Sequence, residues 1–302
     1  MKRFIRTDLA LELKEDLPNE HIIDGVKIRT KYKNEGMLKE THIEVVNKEG
    51  EKILGKPIGN YVTLESYKLR GSDEDIHEPF VAALHEHIQS MIGDAQKILV
   101  IGLGNRAVTP DALGPYVVDN LYITRHLLSE GLINDVKEIS AISPGVMAQT
   151  GIETQVILKS LCNEIKPDVI IAVDALAARE PSRLNSTIQI CDTGISPGAG
   201  VGNNRMQLNK DTLGIKVIAI GVPTVISVPA IVNQSIEGMI SALMNNDKKF
   251  ELSFNDEEKY SLACELVDPE LATMFVTPKN IDEAVKRVSY TISESINRFF
   301  EC

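Results

Sequence analysis

The sequence predicts an α/β fold: a doubly wound, largely parallel central sheet with helices on both faces, plus an N-terminal region rich in β-hairpins. Three observations predict it. Unbroken apolar runs of strand length recur at 97–102, 168–173 and 215–221, as strands buried on both faces of a parallel sheet require. Stretches with apolar residues at helical spacing separate them, so the order strand, helix, strand repeats from 97 to 245. Residues 21–70 instead alternate apolar and polar positions, the pattern of half-exposed strands.

The chain-wide numbers bound what this fold can do. The 302 residues are 43% hydrophobic and 25% charged, with no tryptophan, enough for one large or two smaller aliphatic cores. The net charge is -11 and no basic run stands out, which argues against direct nucleic-acid binding. No apolar run approaches the roughly 20 residues that span a bilayer, so no membrane partner is expected. Lys2, Arg3 and Arg6 are followed by no apolar segment of a secretory signal. Cys162, Cys191, Cys264 and Cys302 show no paired spacing and fit a reducing, cytoplasmic compartment.

The elements follow in order. Residues 1–20 are charge-rich, with a short apolar patch at Leu9, Ala10, Leu11 and Leu13 ended by Pro18. A mobile or removable terminus is expected there. In 21–70, segments 25–30 and 41–46 read as strands, 47–50 as a turn before 52–55, and 61–64 as a further strand. Ile76, Phe80, Ala83, Leu84, Ile88, Met91 and Ile92 mark a helix. His85 and His87 lie two apart on it, so they point to different faces and read as surface or packing residues. Helices are expected at 116–132 and 150–165, the second with Ile152, Val156, Ile157, Leu158 and Leu161 as its apolar face. Strands are expected at 138–143 and 187–190. Residues 246–270 are charged and weakly patterned, as in a flap or insertion, and 281–300 closes the chain as a helix.

The stretch from 97 to 116 organises the rest. After its apolar run, Gly102 and Gly104 allow a sharp turn, Asn105 can hydrogen-bond its own turn, and Asp111 lies beyond the strand's carboxyl end, where open α/β sheets bind ligands. Gly102, Gly104 and Ala107 also fit a dinucleotide fingerprint, which would make a nucleotide-binding regulatory module. Pro110 falls where that motif needs a running helix, and the next strand does not end in the acid that would hold a ribose.

Asp174 follows the second apolar run as Asp111 follows the first. If the two strands are neighbours, both carboxylates face one cleft. Close like charges raise one pKa, so one acid keeps a proton while the other is ionised. The ionised acid can activate water against a carbonyl and the protonated one can donate to the oxygen. Each could instead cap the following helix, or the pair could ligate a metal. A hydrolytic zinc site normally needs a third ligand, often histidine, and all six histidines lie between 21 and 126. A serine nucleophile lacks its G-x-S-x-G elbow and a downstream histidine, and Cys191 lacks that histidine too. The glycine-rich loop 192–205, opening at Asp192, exposes amides that could shape the cleft or hold substrate backbone; a structural connector is the alternative.

Long segments then carry a resemblance: RTDLALE at 6–12, GLGNRAVTPDALGP at 102–115, SPGVMAQTGIET at 143–154, DALAAR at 174–179, NSTIQICDTGISPGAGVGNNR at 185–205 and IGVPTVI at 220–226. In these the chain resembles the germination proteases of spore-forming bacteria. It is more distantly similar to hydrogenase maturation peptidases, which share the G-x-G-N turn with an acid six residues after the Asn and an Asp after a later strand. Those relatives bind metal through the equivalent acids plus a histidine, so a metal-dependent peptidase is the rival enzyme. The closer resemblance implies an endopeptidase of atypical aspartic type, with no cofactor or metal, that degrades small acid-soluble spore proteins during germination in the spore core. It places the two essential acids at Asp111 and Asp174. It also implies a homotetramer made as a zymogen in the forespore and self-processed near its N-terminus. The family cuts after an acidic residue that precedes a large apolar and then a small one, which Asp8-Leu9-Ala10 fits. The expected organisation is a propeptide at 1–8 and one peptidase domain at 9–302, with a β-rich subregion at 21–70, the core sheet at 97–245 and a C-terminal extension at 246–302.

Overall fold

The computed structural model describes residues 7–15, 24–71, 74–198, 206–246 and 256–300. It opens on a short helix, α1 (Ala10–Glu15). The alternating region then forms β1 (Val26–Lys33) and β2 (Leu38–Val45), an antiparallel pair with Val26 opposite Val45. Asn34, Glu35 and Gly36, all at positive φ, turn the chain between them. After α2 (Lys48–Leu54), β3 (Gly59–Glu65) pairs with the other side of β2. The turn expected at 47–50 is in fact the start of α2. The Asn47 side chain accepts from the Gly50 amide at 2.9 Å, and Gly55 at φ 68° ends the helix.

Helix α3 (His77–Ile92) buries Phe80, Leu84 and Ile88, and β4 (Lys97–Gly102) follows. The single helix expected at 116–132 is two, α4 (Leu113–Asp119) and α5 (Arg125–Ser129). The break has a cause in hydrogen bonding: Tyr122 donates its amide to the Asn297 side chain, and Thr124 donates its amide to the Ile139 carbonyl and its hydroxyl to the Lys137 carbonyl, so neither continues α4. Strand β5 (Glu138–Ile142) comes next. The helix expected at 150–165 is also split, into α6 (Met147–Thr150) and α7 (Thr154–Ile165), by Gly151 at φ 70°. Of the apolar face expected there, Ile152 and Val156 are exposed, whereas Leu158 is buried as expected, together with Cys162.

Strands β6 (Val169–Ala178) and β7 (Thr187–Cys191), helix α8 (Lys210–Leu213) and strand β8 (Lys216–Ser227) complete the centre. Helix α9 (Val228–Asn246) and helix α10 (Asp256–Leu266) pack together through Ile236, Ile240 and Ala263. The stretch read as a flap or insertion therefore contains a docked helix; residues 247–255 lie outside the described residues. Strand β9 (Phe275–Val276) and helix α11 (Ile281–Asn297) end the chain.

The nine strands of the described residues share one sheet, ordered β1-β2-β3-β7-β8-β6-β4-β5, with β9 against β8. Its core, β8-β6-β4-β5, is parallel, and the remaining pairings are antiparallel. The β-rich N-terminal region thus extends the core sheet through β7. Alternate residues of the core strands face opposite ways. Ile98, Val100, Val169, Ile171, Ile218 and Ile220 pack beneath α3, α4 and α11. Leu99, Ile101, Ile170, Ala172 and Val217 pack toward α7. Each such aliphatic side chain contributes about 1.5–3 kcal/mol on burial, which makes the carboxyl ends of these strands a rigid platform. Among the described residues no helix is long and apolar enough to cross a membrane.

Candidate active site

Strand β4 ends against a close backbone contact. A Cβ on Gly102 would lie 2.2 Å from the Gly114 carbonyl oxygen, so only glycine lets the start of α4 fold back there. Leu103 extends the ladder one residue by donating to the Val173 carbonyl at 2.8 Å. Gly104, at φ 110°, then turns the chain, and a Cβ on it would lie 2.0 Å from the Asp111 carbonyl oxygen. The Asn105 amide donates to the Asp111 carbonyl at 3.0 Å and to its carboxylate at 2.8 Å. The Asn105 side-chain oxygen accepts from the Ala107 amide at 3.0 Å and from Gln149 at 2.7 Å. The Thr224 hydroxyl, from β8, donates to the Pro110 carbonyl at 2.7 Å. The short turn Thr109–Asp111 therefore packs on β6 and β8 with its carboxylate tied into the loop.

Asp174 does not follow its strand but lies inside it, because β6 runs on to Ala178. It sits opposite Gly221 of β8, one residue beyond the last β4–β6 pair, Gly102 with Val173. It is 5% exposed, and its carboxylate accepts from the Ala175 amide at 2.9 Å. No helix follows Asp174 directly, so the capping alternative is removed for that residue. The strands bearing the two acids are neighbours, and the Asp111 turn rests on the strand that carries Asp174.

Beside Asp174 opens a cleft of about 470 Å³, lined among others by Lys56, Leu176, Gln189, Cys191 and Thr193. The N-terminal segment forms part of its wall through Thr7, Asp8 and Leu13. The Asp8 amide donates to the Ala177 carbonyl at 3.2 Å, and the Asp8 carboxylate accepts from the Ala177 amide at 3.0 Å. The Asp8 carbonyl accepts from Lys56 Nζ at 2.9 Å and Gln189 Nε2 at 3.4 Å. Leu9 and Ala10 are wholly buried, and the Ala10 amide donates to Gln189 Oε1 at 2.7 Å. The expectation of a mobile terminus fails for residues 7–15.

The anchor is Glu12, buried completely. Its carboxylate accepts from the amides of Arg179 and Glu180 at 2.8 and 2.9 Å, from Thr7, and pairs with Arg183 at 3.3 Å. Arg183 also pairs with Glu15 at 2.5 Å and Glu65 at 3.3 Å. Burial disfavours the Arg183 cation, but the Glu15 hydrogen bond and the three carboxylates outweigh it and hold its pKa above the ordinary range.

Asp192 is placed elsewhere. Its carboxylate accepts from the Asn60 backbone and side-chain amides, both at 2.8 Å, joining the end of β7 to the start of β3. Its neighbours Thr193 and Gly194 line the cleft. Ile195 and Leu208 bridge the loop's described ends, and residues 199–205 lie outside the described residues. Burial pushes the Cys191 thiol up, the opposite of what a nucleophilic cysteine needs. His77 and His85 bond Thr291 and Ser295 of α11, and His87 meets Glu40 of β2. Among the described residues no group of three or more His, Cys, Asp or Glu side chains is arranged to hold a metal ion.

Sequence reasoning missed Lys56, Gln189, Glu12 and Arg183. Gln189 carried a signal, being a polar residue between Ile188 and Ile190 in a strand of otherwise β-forming side chains. A carboxylate within the short apolar patch of 9–13 was the signal for Glu12. Lys56 and Arg183 carried none, since their partners are distant in sequence.

Comparison with known proteins agrees with the resemblance. A family model described as germination protease matches residues 6–251. Germination proteases from Caldanaerobacter subterraneus subsp. tengcongensis and Clostridium tetani are 44% and 43% identical, each over 97% of this chain and over 93% and 94% of their own lengths. The Bacillus subtilis protein is 37% identical over 97% of this chain and 92% of its own. Among solved structures, a NiFe hydrogenase maturation protease, HycI, from Thermococcus kodakarensis KOD1 matches at 16% identity and a TM-score of 0.35, covering 70% of this chain and 98% of that one. With a family model over most of its length and such relatives end to end, the chain belongs to the germination protease family and is a peptidase.

Proposed function

We propose that this peptidase degrades small acid-soluble spore proteins during germination, and that it is made as a zymogen which cuts itself between Asp8 and Leu9. In this reading residues 1–8 are the propeptide and 9–302 form one peptidase domain, assembled as a homotetramer in the cytoplasm of the forespore and spore core. Asp111 and Asp174 share the acid and base roles. One carboxylate takes a proton from water as it attacks the carbonyl carbon, and the partner's proton goes to the departing nitrogen. Gly102, Gly104 and Asn105 shape the turn that presents Asp111, and Asp192 braces the cleft's far wall through Asn60. Neither a metal nor a cofactor has a role in this scheme.

One observation supports the reading: Asp8 lines the same cleft as Asp174, its amide bonded to the Ala177 carbonyl and its carboxylate to the Ala177 amide. N-terminal sequencing after incubation of the full chain tests it. The matured protein is expected to begin at Leu9; any other new N-terminus rules out this cut.

A further inference from the structure

We infer that Lys56 and Gln189 form the oxyanion-stabilising pair of this hydrolysis, an assignment that rests on the cut between Asp8 and Leu9 proposed above. If that bond is cut, the Asp8 carbonyl is the one attacked, and its oxygen is held by two donors from separate elements. Lys56 Nζ lies at 2.9 Å and Gln189 Nε2 at 3.4 Å. Neither donor belongs to the N-terminal segment. Lys56 directly follows the left-handed Gly55 that ends α2, and the Tyr61 hydroxyl fixes the next residue by donating to the Pro57 carbonyl at 2.9 Å. Gln189 is 7% exposed within β7, between β3 and β8. Its other side-chain atom, Oε1, accepts from the Ala10 amide at 2.7 Å. One amide side chain thus grips the backbone on both sides of the Asp8–Leu9 bond, which fixes the bond's register, while the ammonium supplies charge.

The chemistry needs such donors. Attack of water forms a C–O bond at the Asp8 carbonyl carbon and moves the π electrons onto the carbonyl oxygen. That oxygen carries its negative charge between Nζ and Nε2 until the C–N bond breaks. The electron pair then leaves on the Leu9 nitrogen, which takes a proton from the acidic pair. Water is consumed, and a carboxyl group at Asp8 and an amine at Leu9 result. Donors preset at the point where charge develops are worth about 10²–10³ in rate each. A plain tether for the segment would make the same contacts in the ground state but would stabilise no transition state.

The test follows the first-order appearance of the Leu9 N-terminus in full-length wild type, Lys56→Met, Lys56→Arg and Gln189→Leu. Hydrogen exchange at the Ala10 amide is compared for Lys56→Met and the unsubstituted residue, each in an Asp174→Asn background that keeps the segment uncut. The inference predicts that Lys56→Met slows processing about 10²–10³-fold, that Gln189→Leu also slows it, and that Lys56→Arg restores most of the rate. It predicts undiminished Ala10 protection in the Lys56→Met chain. Processing of Lys56→Met within about threefold of wild type would overturn it. So would a rate loss matched by loss of Ala10 protection, which would make Lys56 a tether. If the wild type itself matures to an N-terminus other than Leu9, the cut fails and the inference with it, and that failure is seen in the wild-type arm alone.

Discussion

Replacing Asp174 with Asn is expected to stop self-processing, slowing it by about 10²–10⁴-fold or beyond detection, without unfolding the chain. The substitution removes a group that can take up or give away a proton but keeps an oxygen that can accept from the Ala175 amide, as the carboxylate does at 2.9 Å. Strand β6 is paired with β8 through this position, from Val169 to Ala178, and should therefore keep its register. Asp111→Asn is expected to do the same to the rate. Its Oδ2 accepts from the Asn105 amide at 2.8 Å, and the amide oxygen of the variant can still accept, though a bond to a charged group is worth about 1.5–3 kcal/mol and part of that is lost. Intact mass against time gives the rate, and thermal unfolding confirms the fold. Processing retained in both single variants would defeat the assignment of the pair.

The second large effect is on stability. Glu12→Ala is expected to cost about 3–5 kcal/mol, the range for breaking a buried pair by removing one partner. Several groups lose their acceptor together: the Arg179 and Glu180 amides, the Thr7 hydroxyl and part of the Arg183 guanidinium. Arg183 keeps Glu15 and Glu65, so the loss should fall at the lower end. Glu12→Gln, which retains an acceptor but not the charge, should cost less than Glu12→Ala. Denaturant midpoints on unprocessed protein measure both. A Glu12→Ala midpoint equal to wild type would mean that residues 7–15 contribute nothing to the folded state. Glu180 adds an internal check, because burial and then the Glu12 charge hold its carboxyl above the usual range. Removing Glu12 should bring it down.

The parallel core could be read from the sequence because burial on both faces leaves uninterrupted apolar runs, as in Ile98–Ile101 and Val169–Val173. The helix boundaries could not. Whether residues 120–124 continue a helix depends on Asn297, 175 positions from Tyr122, and on Lys137, 13 positions beyond Thr124 and outside any helical spacing. The length of β6 was hidden for a related reason. DALAA after VIIAV has the composition of a helix start, yet β8 pairs with it as far as Ala178, and tertiary pairing overrides so weak a local preference. At the site, the two acids stood out because each followed an apolar run, and their strands are neighbours. How the N-terminal segment packs against the cleft did not stand out. Its placement comes from single residues, Glu12, Lys56 and Gln189, whose partners lie 48 to 181 positions away.

The most direct test of a metal-free, two-aspartate endopeptidase is incubation of the matured protein with a purified small acid-soluble spore protein, with and without exhaustive chelation, followed by mapping of the cut. The account predicts equal cleavage in both arms, at a bond between an acidic residue and a large apolar one. A substrate left intact, or cleavage that vanishes on chelation and returns with added zinc, would contradict it.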